Sequence, residues 1–402
     1  MSPAERSVRH AKLRTDRAIS QAYIRLAADA RARATFNELL RSIRGRSPRL
    51  LDAPVIDGRH LGVEALVNLA RFADAYVRTT EDWTGSSASW RGCVNSLAQH
   101  LLSGYRIPAF LSAAWFATDD RYAEAKRRWF VAHAAGASFR SLTLPIRLTS
   151  KMEHILLGSR DHFGIEYALR RAELLGLGAD QRLTDAVLAT RPALDLDNGD
   201  FWRTVWLFLI ENSGSIDGAQ VGPIIDFVHA VRHERVAVET AEGIVMREPP
   251  QPQFSLKGRT ARSVLRLMDQ WHRELGLVTG GLRWEPSRLR PMVIETPQED
   301  PDAPPILWEM TELTNSAQLR AEGVALHHCV ASYSHNCWRG ASRIWSLRRQ
   351  RDAKVRSIVT VEVDPARRTI VQARGFRNRR ASGKPLQLVQ AWAAREHLRL
   401  AL

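Results

Sequence analysis

The sequence is poor in cysteine and has no long hydrophobic run. Its three cysteines, Cys93, Cys329 and Cys337, lack paired spacing, which argues against a disulfide framework and favours a reducing compartment. The longest apolar run, Ile107–Ala117, is about half the length that crosses a bilayer, and the first residues contain no signal-peptide core. We therefore expect a soluble, cytoplasmic protein without a membrane partner.

Common catalytic motifs are also missing. The chain contains no P-loop, no dinucleotide-binding glycine pattern, no His-Glu-x-x-His and no Gly-x-Ser-x-Gly element. The usual nucleotide, metalloprotease and hydrolase classes therefore lose support. No cofactor is predicted.

Positive charge is abundant, and it is concentrated at the two ends of the chain. The net charge is +15, and residues 339–402 hold 16 Lys and Arg against 4 Asp and Glu, while residues 1–50 hold 12 against 4. Compositional drift alone would spread such charge evenly. The segregation favours a polyanionic partner, most often nucleic acid.

Residues 1–245 have a helical pattern. Apolar residues recur at helical spacing in segments that glycine, aspartate and proline separate. The segments are 10–43, 62–77, 88–102, 119–135, 152–175, 201–210 and 220–232. Their lengths are typical of stacked helical hairpins, although no fixed-period repeat is present. This part could act as a scaffold that recruits a protein partner.

Two proline-rich stretches separate the helical part from the C-terminal part. We interpret residues 246–307 as linkers flanking one amphipathic helix that ends near Leu275. Residues 308–402 form the third predicted domain, which is small, basic and α+β. Its helix runs from Ala317 to about Ser334, three strands follow, and a helix over 386–402 closes the chain. The predicted fold is mainly α in the N-terminal region, followed by an α+β domain with an antiparallel sheet.

The segment Leu326-His327-His328-Cys329-Val330-Ala331-Ser332-Tyr333 concentrates reactive side chains. Three interpretations compete: covalent catalysis by Cys329 with His328 or His335 as base, a metal site, or a structural or ligand-contact role. A metal site would use His327, Cys329, His335 and Cys337, but their spacing fits no common zinc motif. We predict no metal.

A second polar segment is Gln372-Ala373-Arg374-Gly375-Phe376-Arg377-Asn378, at the end of a predicted strand. Glycine permits close backbone approach there, and the planar guanidinium of Arg374 suits phosphate. The predicted phosphate contacts are Arg374, Arg377, Asn378, Arg379, Arg380 and Lys384. The alternative is a solvated, charged hairpin tip.

These segments together resemble the PcfJ-like family, which is found on conjugative plasmids, phages and bacterial chromosomes. The resemblance rests on Lys257-Gly258-Arg259-Thr260, on Glu322-Gly323 before the His-Cys segment, on Ile344-Trp345-Ser346-Leu347-Arg348, and on Val361-Glu362-Val363 before the Gln-x-Arg-Gly segment. It extends over roughly residues 150–402. The family implies a link to mobile DNA but no defined chemistry.

Three functional hypotheses follow. The first is a nucleic-acid-associated accessory protein of mobile-element or phage origin, whose basic C-terminal domain contacts the phosphates of DNA or RNA. The second is an enzyme acting on a nucleic acid or nucleotide, with His328, Cys329, Tyr333, Gln372 and Arg374 in one site. The third is a helical interaction scaffold that does not bind nucleic acid.

Overall fold

The chain forms two compact units, Met1–Gly178 and Ala179–Leu402. The computed structural model describes residues 3–56, 58–85, 87–117, 121–160, 163–240, 243–278, 282–298, 305–326, 328, 330–351, 354–376 and 379–400. Among these residues, no helix is both long enough and apolar enough to cross a membrane.

Unit 1 is helical, as predicted. Its elements are α1 (Pro3–Arg25), α2 (Ala30–Arg46), β1 (Val55–Ile56), β2 (Arg59–His60), α3 (Leu61–Ala70), α4 (Trp90–Leu102), α5 (Ala113–Phe116), α6 (Ala123–Ala134), α7 (Ser150–Leu157) and α8 (Ile165–Leu177). Single-turn 3-10 helices lie at Pro48–Asp52, Ala73–Ala75, Ala109–Ser112 and Phe139–Ser141.

Two segments of unit 1 that were predicted as continuous helical patterns, 10–43 and 152–175, each contain two helices. Asp29 separates the first pair, because its carboxylate accepts the Ala32 amide (2.9 Å) and caps α2. Gly158 ends α7 in the second pair. The core of the unit includes Trp115, which is fully buried and packs edge-on against Phe130.

Unit 2 combines helices with a six-stranded sheet. Its elements are α9 (Gln181–Leu188), α10 (Arg191–Leu194), α11 (Gly199–Glu211), α12 (Gly218–His233), β3 (Val236–Thr240), β4 (Gly243–Arg247), α13 (Ala261–Val278), β5 (Met292–Thr296), β6 (Ile306–Leu313), α14 (Ser316–Leu326), a 3-10 turn (Val330–Tyr333), α15 (Ser334–Trp338), β7 (Arg343–Arg351), β8 (Lys354–Asp364), β9 (Thr369–Arg374), α16 (Gly383–Arg395) and β10 (Arg399–Leu400).

The sheet has the strand order β10-β9-β8-β7-β6-β5. All neighbouring strands are antiparallel except β10 and β9, so the predicted antiparallel sheet is confirmed. The prediction of three strands missed β5 and β6. β5 lies in the segment interpreted as a linker, and β6 lies at the boundary between that segment and the C-terminal domain. The prediction also missed the β3–β4 hairpin, which begins in the segment interpreted as helical.

The two faces of the sheet differ in polarity. One face packs against α16 through an apolar cluster that includes Trp345, Val361 and Trp392, with the two indole rings 4.7 Å apart. On the other face of β7 and β8, Ser346 pairs with Thr360 and Ile344 pairs with Glu362. A sheet face that carries buried polar groups must satisfy them with hydrogen bonds.

Two predicted helices end earlier than expected. The helix predicted to reach Ser334 ends at Leu326, where the amide of His328 donates to the carbonyl of Gly323 (3.1 Å). A β-carbon at Gly323 would lie 2.8 Å from the His328 carbonyl oxygen, so glycine permits this return of the chain. The helix predicted over 386–402 spans Gly383–Arg395, and a turn with a positive φ (54°) at His397 leads into β10.

Candidate ligand-binding cleft

The candidate site is a cleft inside unit 2, with a volume of about 390 Å³. One wall is the polar face of β8 and β9, where Thr360 pairs with Arg374 and Glu362 pairs with Gln372. Because residues two apart on a strand share a face, these four side chains lie together. His328, Val330 and Tyr333 line the same cleft.

His328 is held by a chain of hydrogen bonds that ends at a buried carboxylate. The Thr360 hydroxyl donates to Glu322 Oε1 (2.9 Å), and His328 Nε2 lies 2.9 Å from Thr360 Oγ1. A hydroxyl has one proton, so Thr360 must accept from His328, and His328 Nε2 therefore carries a proton. His328 is 7% exposed. This hydrogen bond holds the orientation of the ring.

Glu322 anchors this chain because it accepts three hydroxyl groups. Its Oε2 accepts Ser346 Oγ at 2.9 Å and Ser357 Oγ at 2.6 Å, in addition to Thr360 on Oε1. The residue is 2% exposed. These three donors satisfy a carboxyl group that burial has removed from water.

Tyr333, Gln372 and Glu362 form a second chain. The Gln372 amide donates to Tyr333 Oη (2.7 Å) and to Glu362 Oε2 (2.6 Å), and Ser342 donates to Glu362 Oε1 (2.9 Å). The 3-10 turn and strand β9 are therefore joined across the cleft by a direct bond. This chain places a phenol, an amide and a carboxylate at the same cavity as His328.

Arg374 and Arg380 lie opposite each other at the end of β9. The two residues form an isolated antiparallel bridge, and the Gly375 amide donates to the Arg379 carbonyl (2.8 Å). Burial, and then the neighbouring charge of Arg380, lower the pKa of Arg374. Arg374 also donates to the Ala189 carbonyl (2.7 Å) at the end of α9. Two adjacent cations of this kind suit an oxyanion.

Helices α9 and α12 form the opposite wall, which carries carboxylates. Asp185, Asp217 and Asp226 line the cleft there. Arg182 pairs with Asp217 at 3.6 Å. Asp217 also caps α12 by accepting the Ala219 amide (2.9 Å), which offsets the positive end of that helix. The cationic side of the cleft is therefore the loop of Arg374, Arg379 and Arg380.

The structure places most of the predicted site residues in this one cleft. His328, Tyr333, Gln372, Arg374, Arg379 and Arg380 all line it. Lys384 is exposed near the start of α16 and lies outside the cleft lining. Cys329, Arg377 and Asn378 lie outside the described residues, so their predicted roles stay predictions.

The metal hypothesis gains no support from the described residues, which contain no group of three metal-ligating side chains. His327 and Cys329 of the hypothetical set lie outside them. Cys337 is fully buried in an apolar cluster with Leu319 and Ile344. Burial, followed by the charge of Glu362, raises the pKa of its thiol to about 12. Cys337 is therefore a packing residue.

Sequence reasoning missed Glu322, Thr360 and Glu362 as site residues. Glu322 and Glu362 were noticed only as parts of the family segments, and Thr360 was not singled out. The alternation of β8 contained a usable signal, since Thr360 and Glu362 alternate with the buried valines of the opposite face (Val359, Val361 and Val363). The wall formed by α9 and α12 could not be foreseen, because it is about 150 residues away in sequence.

Comparison with known proteins gives one finding that bears on this cleft. No curated protein and no solved structure shows a significant match to the chain. Residues 310–389 match the model of the PcfJ-like protein family. The match is narrower than the predicted 150–402, but it contains His328, Tyr333, Glu362, Gln372 and Arg374. The resemblance is thereby confirmed, and the sheet side of the cleft lies in a PcfJ-like segment.

Proposed function

We propose that the chain is a nucleic-acid-associated protein that holds phosphate groups on the loop of Arg374, Arg379 and Arg380. The observation that carries the proposal is the Arg374–Arg380 bridge, which places two arginines opposite each other on the lining of the cleft. The charge of Arg380 helps to lower the pKa of Arg374, and a bound phosphate offsets this repulsion with charge-assisted hydrogen bonds.

Charge distribution supports the same proposal. The segment 339–402 holds four times as many cationic as acidic residues. Such a surface raises the local concentration of a polyanion and speeds its association. The PcfJ-like family is linked to conjugative plasmids and phages. We therefore expect the ligand to be mobile DNA or RNA transcribed from it.

A salt titration tests the proposal. We expect affinity of the full chain for labelled DNA or RNA to fall with log[salt] at a slope of about −4 to −6, as several phosphates are neutralised. Arg379→Glu with Arg380→Glu should abolish binding. The matched control is Arg262→Glu with Arg266→Glu, which reverses two exposed charges on α13 in the same unit. Absence of binding at low salt would contradict the proposal.

A second candidate function is acid–base catalysis on the bound nucleic acid or nucleotide. The observation that favours it is the Glu322–Thr360–His328 chain, which fixes the proton on Nε2 and orients the ring at the cleft. General acid–base catalysis needs a histidine held in this way near the reacting group. Tyr333 and Arg374 would then contact the same substrate.

His328→Gln separates the two candidates. Glutamine can still donate a hydrogen bond to Thr360 but cannot transfer a proton. If the protein only binds, nucleic-acid affinity should be unchanged and no turnover should appear in the wild type. If it catalyses, the wild type should convert the nucleic acid, and His328→Gln should abolish conversion while binding persists.

A further inference from the structure

A second cavity includes Phe376 in its lining, and the proposed function does not use it. It is a groove of about 660 Å³ between α14 and the β7–β8 hairpin. We call it the hairpin groove. Its cationic members are Arg348, Arg349 and Arg356, and its apolar members include Ala325, Val355 and Phe376.

The hairpin groove has the composition of a surface that binds unpaired bases. Phe376 is 44% exposed and Val355 is 55% exposed, although both are apolar. Arginines border them on two adjacent strands. Surfaces that bind single-stranded nucleic acid combine a cationic groove with an exposed aromatic ring on which a base stacks.

The hairpin groove adjoins the cleft through shared elements. Phe376 lines the groove, whereas Arg374, Arg379 and Arg380 of the same loop line the cleft. Glu322 lines the groove and also binds Thr360, which lines the cleft. Gly375 allows this loop to approach β8, since a β-carbon there would lie 3.1 Å from the Ile358 carbonyl oxygen.

From this adjacency we infer that one nucleic-acid strand lies in the hairpin groove, stacks a base on Phe376, and places the next phosphate at Arg374 and Arg380. The inference rests on the proposed function and specifies its ligand as single-stranded. A duplex is too stiff to bend sharply between two neighbouring cavities, and its bases are already stacked.

Charge in the cleft agrees with a single strand. Asp185, Asp226 and Glu362 on its walls repel a second row of phosphates. Carboxylates can accept hydrogen bonds from the amino groups of an unpaired base. The cleft therefore suits one phosphate and one base more than the two backbones of a duplex.

The test compares three labelled ligands of equal length on the full chain: single-stranded DNA, the same sequence as RNA, and the DNA duplex. We expect a single strand to bind more tightly than the duplex at the same salt. Phe376→Leu should weaken single-strand binding about 5- to 150-fold and leave duplex binding unchanged, because stacking on the ring is lost. Phe376→Trp should keep the single-strand affinity close to that of the wild type, because tryptophan also offers a ring for stacking.

Salt dependence gives a second readout. Arg348→Gln with Arg356→Gln should reduce the single-strand salt slope by about 1.4, since each phosphate contact contributes about 0.7. The control is Arg262→Gln with Arg266→Gln on α13, which should leave the slope unchanged. Circular dichroism and the melting temperature of each variant check that it folds.

The outcomes separate the inference from the proposed function. If Phe376→Leu leaves single-strand affinity unchanged while Arg379→Glu with Arg380→Glu abolishes it, the groove is not part of the binding site and only the inference fails. Equal affinity for duplex and single strand would also overturn the inference. If none of the three ligands binds, both proposals fail.

Discussion

Glu322 is the residue on which the geometry of the cleft depends most, and its replacement gives a quantitative prediction. The carboxylate accepts three buried or half-buried hydroxyls, from Ser346, Ser357 and Thr360. A hydrogen bond to a charged group contributes about 1.5–3 kcal/mol. In Glu322→Gln, an amide NH₂ replaces one acceptor oxygen, so at least one hydroxyl loses its acceptor. We expect the free energy of unfolding to fall by about 1.5–3 kcal/mol.

Glu322→Ala should cost more, about 3–5 kcal/mol, because all three hydroxyls lose their acceptor and a cavity is left. Local stability of the sheet is measured by amide hydrogen exchange in peptides covering β7 and β8, since a chain with two units need not unfold in one step. The control is Glu295→Gln, an exposed carboxylate on β5, which should change stability by less than about 0.5 kcal/mol.

A double-mutant cycle with Thr360→Val checks that Glu322 and Thr360 belong to one hydrogen-bond network. The coupling free energy between Glu322→Gln and Thr360→Val should be at least about 0.5 kcal/mol, as expected for residues in one hydrogen-bond network. A Glu322→Gln variant as stable as the wild type would refute the hydrogen-bonded anchor, and so would additive effects of the two substitutions.

Three further predictions concern stability and reactivity. Burial lowers the pKa of His60, whose Nδ1 accepts the Val63 amide and caps α3, so the native state binds fewer protons than the unfolded chain. The free energy of unfolding of unit 1 should therefore fall as the pH drops below about 6.5, by at most about 1.4 kcal/mol per pH unit. In His60→Asn, which keeps a capping side chain without a titrating group, urea unfolding curves should show a weaker pH dependence. Cys337 should resist alkylation in the native protein at pH 8 and react in urea. Mass spectrometry of the labelled peptide measures this difference, and labelling without denaturant would contradict the burial of the thiol. Gly323→Ala should destabilise α14 by about 1–3 kcal/mol, measured by amide exchange, because the added β-carbon would lie 2.8 Å from the His328 carbonyl oxygen; unchanged exchange would contradict that contact.

Periodicity predicted the elements whose sequence pattern is local and strong. Strands β7, β8 and β9 were expected near 344–347, 356–363 and 369–373, and each is present, with β7 extending four residues further to Arg351. Their apolar residues alternate with polar ones, and this pattern indicates strands of a sheet with one apolar face. Helix α11 was predicted because residues 201–210 are apolar on most sides of a helix.

The failures have a common physical origin in contacts between distant residues. The helix ending at Leu326 looked longer because apolar spacing continues to Tyr333, whereas the chain turns back so that the His328 amide donates to the Gly323 carbonyl. Strand β5 depends on pairing with β6 across the proline-rich segment. The cleft was half predicted: the sequence identified the His328 and Arg374 segments but could not bring α9 and α12 to them.

Photo-crosslinking tests the central claim most directly, because it locates the nucleic acid on the protein. The full chain would be bound to a single strand carrying photoreactive halogenated pyrimidines, irradiated, digested and analysed by mass spectrometry. The account predicts crosslinks to peptides containing Tyr333 and Phe376, which Arg379→Glu with Arg380→Glu should remove. Crosslinks confined to the basic residues 1–50, or to none of the cleft and groove peptides, would contradict it.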